Sequence, residues 1–526
     1  MFNKLFNEWL LLVVLVFSAL YLRFNGAFAD VVYVFTSIVG IIIFTVRLFS
    51  KSKASDGYVN GTYLKVIYFL FILLLGYSLL LNSISRLVIG ASFWRVIDIV
   101  AVFSVGALAL FALSNLSRVV RTLRAKEEDK TKPFYVSMIL RIVCFLLMIH
   151  LPTYAPSYRT KPIKDLKTRS VSENLPATLS ADFDSIIDGF SEDIVLQGVS
   201  FYLKKGEQSY EAHAGVINKD LQRRPSATDY YQIASVSKVF TATLFADFLK
   251  EGKVDSQTVL SDLYDSSEWP GSMGDVPLIS LATHTSGVPR LSPVMQMSSL
   301  KSLLRPYHFY GEKAFMEDLV SVDPIRQKNV NNSNFGYAVL GQALTKASGM
   351  DYLDGRGLLN NFKVRVATPF GMKNVALANE VVGQNSVYAA STLRNGKAIP
   401  RWTNSQIAGA GTFIATLNDL KAFVNAYLND HLQPDFGKSY TTWWATQYIK
   451  LELPDSERTQ RLGWVEQPFE LENGSTVSMY WHNGSTFGNT SFVAFIPELE
   501  LSVVALSNTA KSVDALAIEV MKRATR

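Results

Sequence analysis

The sequence predicts a mixed α/β domain, with an antiparallel sheet flanked by helices and a helical subdomain, preceded by an all-α transmembrane bundle. Three observations carry this. First, five apolar runs are confined to the first 151 of the 526 residues. Second, the charge changes sign along the chain. Residues 1–177 hold 20 Lys and Arg against 9 Asp and Glu, which leaves the remainder 31 of the 51 basic and 36 of the 45 acidic residues. Third, strand patterns lie at both ends of the second part with helical periods between them. A chain of this length is expected to form more than one domain.

The apolar runs cover residues 9–22, 31–46, 66–81, 96–113 and 134–151. Each is about 14–18 residues, and apolar flanks extend most of them to the length that crosses a bilayer. The loop after the second run carries Arg47, Lys51, Lys53 and Lys65. The loop after the fourth carries Arg118, Arg121, Arg124, Lys126, Lys130 and Lys132. Two basic loops separated by two spans belong on the cytoplasmic side, so everything after the fifth span is expected outside, in a bacterial envelope. "GAFAD" at the end of the first run also allows a signal peptide cleaved after Ala29, which leaves the orientation unchanged. Arg141 near the middle of the fifth run is costly there, and Asp98 is its obvious partner, with snorkelling as the alternative. Cys144 is the one cysteine, so no intrachain disulfide is expected. The six histidines lack ligand spacing, so neither metal nor organic cofactor is expected. The basic residues flank apolar runs instead of forming a basic face on a soluble domain. A lipid bilayer is therefore an expected partner and nucleic acid is not.

"PTYAPSYRTKPIKDLKTRS" reads as an extended linker near the membrane surface. The expected division is a transmembrane region of about five helices over 1–151, a linker over 152–178 and a soluble domain over 179–526. In the soluble domain, "IVLQGVSFYLKKGE" and "YEAHAGVIN" read as two strands. "SVSKVFTATLFADFLKEG" reads as a helix from Ser235 to the terminal Gly252, "FGYAVLGQALTKASG" as a second and "TFIATLNDLKAFVNAYLND" as a third. "FVAFIPELELSVVALSN" reads as a strand hairpin, followed by a helix from about Val513.

Ser235 and Lys238 stand at i and i+3, which puts them on one helix face. Two readings compete. In one, Ser235 caps an amphipathic helix and Lys238 is solvated. In the other, Ser235 is a nucleophile and Lys238, neutral because its surroundings Val236, Val239, Phe240 and Leu244 are apolar, takes its proton.

The longer segment "YQIASVSKVFTATL" resembles the first motif of the penicillin-recognising serine hydrolases: class C β-lactamases, D-alanyl-D-alanine carboxypeptidases and related esterases and D-amino-acid peptidases. "LISLATHTSGVPRL", "NSNFGYAVLGQALTKASGMDY", "ATPFGMKNV", "GAGTFIATLNDLKAFV" and "YWHNGSTFGNTSFVAFIPELELSVVALSN" resemble later segments of that family, in order, over about two-thirds of the chain. The resemblance implies a β-lactamase/transpeptidase-like fold. It implies a membrane-anchored hydrolase that forms an acyl-enzyme on Ser235, with Lys238 as base. Asn334 would bond Lys238 and the substrate amide. His482, where the family has Lys or His, would donate to a carboxylate or to the reacting hydroxyl. Gly484 would admit the substrate backbone, and the N–H groups of Ser235 and Ser485 would form the oxyanion hole.

Implied substrates are small peptides with D-amino acids, cell-wall stem fragments, esters or β-lactams. His284 is expected to buttress its loop. The sequence departs from the family at Asn332, where the nearest relatives have a tyrosine that shuttles protons. An amide does not titrate, so Asn332 is left a substrate-binding role, and Tyr337 one turn on is a possible replacement. The alternative function is a catalytically impaired sensor that binds cell-wall peptides.

Overall fold

The computed structural model describes residues 167–526 apart from 193–196, 219–220, 265–271, 297–306, 308, 326–329, 351–354, 381–386, 394–395, 397 and 454–455. The five expected spans lie outside the described residues. Among the described residues no helix is long and apolar enough to cross a membrane. The chain divides into two compact units, Met1–Lys161 and Pro162–Arg526.

One nine-stranded sheet organises the second unit. Its strands are β1 (Arg169–Glu173), β2 (Gly198–Lys205) and β3 (Gln208–Gly215) from the start of the unit, and six from its end. Those six are β7 (Leu451–Glu452), β8 (Thr459–Gln460), β9 (Val465–Glu470), β10 (Thr476–Ser485), β11 (Thr490–Ile496) and β12 (Leu501–Ser507). Between them, in sequence, β4 (Tyr231–Gln232), β5 (Ala376–Leu377) and β6 (Phe413–Ala415) make a small separate sheet. The large sheet has the order β1-β3-β2-β12-β11-β10-β9-β8-β7, and its pairs are antiparallel. The two ends of the unit meet where β2 pairs with β12, in the register Val504↔Tyr202. The expected assembly of one sheet from both ends is therefore what forms.

The strands differ by position. β11 and β12 are buried at every residue, because helices cover both faces of the sheet there. That is why "TSFVAFI" and "LSVVALS" show little polar alternation. On one face pack α1 (Ala177–Glu192) and α5 (Asp514–Ala524), through Phe183, Ile187, Val520 and Met521. On the other lie α2 (Val236–Lys250), α3 (Asn334–Ala347) and α4 (Leu417–His431), in a larger core that includes Phe240, Phe423, Tyr427 and Trp464. Phe240 stacks on Phe362 with centroids 4.5 Å apart.

Two expected boundaries are corrected. The linker does not run to 178: β1 pairs with β3 from Arg169↔His213 to Glu173↔Ser209, and α1 begins at Ala177. As an edge strand with Val171 63% exposed, β1 is held by backbone bonding and carries no apolar period to read. The helix placed over "TFIATLNDLKAFVNAYLND" is a strand and a helix. β6 ends at Ala415 and Thr416 caps α4, accepting from the Asp419 N–H at 3.2 Å while the Asp419 carboxylate accepts from the Thr416 N–H at 3.0 Å. This reciprocal pair fixes the start of the helix.

Candidate active site

Helix α2 is buried around its whole circumference, which marks a helix at the centre of a domain. Every residue from Val236 to Leu249 is buried. Its polar members are satisfied internally: Thr241 donates to the Gly409 carbonyl at 2.9 Å, and Asp247 accepts from Arg365 at 2.5 Å. Lys238 belongs to this set and is only 1% exposed, so it is not a solvated lysine. Its Nζ donates to Ser235 Oγ at 3.0 Å. Burial, and then the positive charge of Arg290, bring its pKa down to about 7.

The Ser235 hydroxyl makes no cap bond to its helix, so the capping reading is also set aside. The turn before it is tight. Ala234 takes a left-handed φ of +48°, unusual for a residue with a Cβ, and the first bonds of the helix run from Val236 to Ile233, Ser237 to Ala234 and Lys238 to Ser235. Among the described residues the Ser235 N–H donates to no acceptor. The hydroxyl therefore stands at the N-terminus of a long helix, where unpaired N–H groups favour developing negative charge.

Strand β10 lies against this turn. A Cβ on Gly484 would fall 2.3 Å from the Ile233 oxygen and 2.9 Å from Ser235 N, closer than atoms can approach, so only glycine fits. Ser491 on the neighbouring strand holds the same carbonyl, donating to Ile233 O at 2.7 Å. Residues alternate faces along a strand. His482 and Gly484 are buried, while Asn483 reaches the other way and donates to Asp514 of α5 at 2.5 Å. Ser485 ends the strand, and its Oγ donates to the Thr486 carbonyl at 3.0 Å.

His482 corrects an expectation. Its Nδ1 lies 2.7 Å from the Asn483 carbonyl, and a carbonyl can only accept, so Nδ1 carries the proton. Burial first, and the Lys238 charge second, bring its pKa down to about 3. The ring is neutral, and its Nε2 is left as an acceptor, where a donor had been expected.

The second motif departs from expectation in three places. Asn334 starts α3, but its Nδ2 donates to Tyr307 Oη at 3.1 Å, and among the described residues no hydrogen bond joins it to Lys238. Its Oδ1 is buried without a partner. Asn332 is exposed and engages through its backbone, accepting from Arg290 at 3.2 Å. Tyr337 is fully buried and donates to the Ala282 carbonyl at 2.6 Å. Burial raises its pKa, so it cannot stand in for the missing tyrosine.

His284 is structural, as expected. Its Nδ1 accepts from the Ser333 N–H at 3.1 Å and its carbonyl from the Asn331 N–H at 2.8 Å. It thus holds the loop that delivers the second motif. Burial, with Lys238, His482 and Arg290 adding like charge, keeps its pKa well below the ordinary histidine value. Sequence reasoning assigned nothing to Arg290, Tyr307, Trp402 or Phe487. Arg290 stood in view beside Gly287 in "HTSGVPRL", but the others are separated widely in sequence and meet only in the fold.

A hydroxyl at the head of a central helix, with a buried amine bonded to it and a sheet strand pressed alongside, is the equipment of a serine hydrolase. The chain belongs to the β-lactamase family, whose profile matches residues 183–524. It is 24% identical over 352 residues to a β-lactamase of Escherichia coli K12, covering 61% of this chain and 84% of that protein. To the D-alanyl-D-alanine-carboxypeptidase/endopeptidase AmpH of the same organism it is 22% identical over 345 residues, covering 62% and 85%. Among solved structures, a β-lactamase/D-alanine carboxypeptidase from Pseudomonas syringae aligns with a TM-score of 0.54 at 18% identity, covering 66% of this chain and 98% of that one. A class C β-lactamase from Rhodobacter sphaeroides aligns with a TM-score of 0.52 at 19% identity, covering 66% and 98%. The fold is thus the β-lactamase/transpeptidase type.

Proposed function

We propose that the protein is a membrane-anchored hydrolase that forms an acyl-enzyme on Ser235 from D-amino-acid peptides, cell-wall stem peptides, esters or β-lactams outside the cell. One observation carries the chemistry: Lys238 is buried, brought to a pKa of about 7 and bonded to Ser235 Oγ at 3.0 Å. Neutral Lys238 takes the hydroxyl proton as Oγ attacks the substrate carbonyl carbon. The Ser235 and Ser485 N–H groups hold the oxyanion, and the ammonium returns its proton to the leaving group. Water then repeats the sequence against the ester, and its second proton stays on the released acid. His482 Nε2 supplies an acceptor for a substrate N–H group. The anchor and the outward orientation are supported by the apolar runs and the basic loops.

A fluorophosphonate probe tests the nucleophile. Intact mass is expected to show one adduct on the native protein and none on Ser235→Ala. No adduct on either protein would move the reading to a peptide-binding sensor, since Asn332 lacks the tyrosine hydroxyl and Tyr337 is sealed away.

A further inference from the structure

Beside the second and third motifs lies a cleft of about 240 Å³, whose lining includes Tyr307, Arg401, Trp402, Asn404 and Gln406. Three contacts attach it to the nucleophile's surroundings. Tyr307 Oη accepts from Asn334 at 3.1 Å. The Trp402 ring meets Tyr307 edge-on at 5.2 Å and Phe487, two residues beyond Ser485, at 5.6 Å. The Trp402 backbone is clamped by the Gln232 side chain, accepting from Nε2 at 2.8 Å and donating to Oε1 at 3.2 Å. Gln232 lies three residues before Ser235.

The lining is one-sided in charge. Arg401 is its one charged residue among those described, and no carboxylate among the described residues pairs with it. Its guanidinium lies over the Tyr388 ring at 3.7 Å, which fixes its plane and leaves its edge for hydrogen bonding. Among the described residues the buried Arg401 Nη1 has no acceptor, and neither has Trp402 Nε1. Buried donors without partners are rare in folded proteins. Two on consecutive residues of one lining mark a place for an anion. The cleft has room for several water-sized groups, enough for a short chain ending in a carboxylate.

We propose that this cleft is an acyl-side subsite that takes a short substituent ending in a carboxylate, held by Arg401 and the Trp402 N–H, with its methylene stem against Tyr307 and Trp402. This rests on the hydrolase reading above and adds a substrate class to it: acyl groups bearing a second, ionised carboxyl.

The test compares two chromogenic esters on the full-length protein, the mono-p-nitrophenyl ester of glutaric acid and p-nitrophenyl butyrate, which has a neutral acyl chain. Arg401→Gln is expected to lower kcat/KM for the glutarate ester about ten- to hundredfold, the loss of a charge-assisted bond, and to leave the butyrate ester within about twofold. Arg401→Lys is expected to recover part of the loss. Equal losses on both esters, or no change on either, would overturn the proposal. Fluorophosphonate labelling separates the two readings. If native protein labels at Ser235, the ester comparison decides. If it does not label, the hydrolase reading fails and calorimetry with glutarate decides instead. Binding by native protein that is lost in Arg401→Gln would support the subsite, and no binding by native protein would overturn it.

Discussion

Lys238 lies in the buried run with Val239, Phe240 and Ala242, and Arg290 adds like charge. Both disfavour the ammonium, and only the neutral amine can take the Ser235 proton. Acylation kcat/KM is therefore expected to fall as pH drops through about 7 and to level off above it; a lysine left in water would place that limb near 10.4, roughly. Arg290→Gln removes the like charge and is expected to move the limb to higher pH, read from a kcat/KM profile. An unmoved limb would separate Arg290 from the base. At this scale the Ser235–Lys238 pair was legible, because three residues of helix are enough to define it. Asn334 was misread because its partner Tyr307 is brought in by the fold, and nothing in "NSNFG" announces it. The tautomer of His482 was hidden for a different reason. It follows from the path of the backbone at Asn483, which residue type alone does not fix.

At the level of elements, the site is a helix end held against a strand. α2 gives the hydroxyl its position and β10 closes the approach from one side, with Gly484 as the point of contact. Gly484→Ala is expected to push the Ile233–Ser235 turn away from its place, since the added carbon would fall 2.3 Å from the Ile233 oxygen. Labelling of Ser235 by the fluorophosphonate should slow by about a hundredfold, the scale of losing an oxyanion donor, while circular dichroism shows the fold retained. Labelling at the native rate would mean that the strand can give way. Helices α2, α3 and α5 and the β11–β12 hairpin were legible from periodicity. The start of α4 was missed although the sequence carried its marker: Thr416 and Asp419 stand at the spacing of a reciprocal cap. The apolar "TFIA" before them continues a helical period by coincidence, because β6 is buried against α2. β1 was missed because an exposed edge strand has no apolar pattern.

For the whole molecule, the second unit is a sheet contributed by both of its ends, enclosing a helical region that carries three of the site's segments. That arrangement was legible from strands at either end. The aromatic cleft was not, since Tyr307, Trp402 and Phe487 converge from three distant stretches. Orientation belongs to this scale too. The basic loops after the second and fourth apolar runs predict that the unit faces outward, so protease added to intact spheroplasts is expected to digest it. A protected unit would place it in the cytoplasm.

The junction of β2 with β12 has a consequence for the protein's birth. The bond from Gln197 to Ser507 spans 310 residues, and long-range pairings of this kind form slowly. While the chain is being made, α2 emerges with its nucleophile long before β10 and β12 exist to flank it. The nascent polypeptide therefore holds Ser235 without the strand that shapes its oxyanion pocket. Catalytic competence waits for the final strands to join the sheet. Until then, the exposed apolar surface of α2 is a natural client for chaperones.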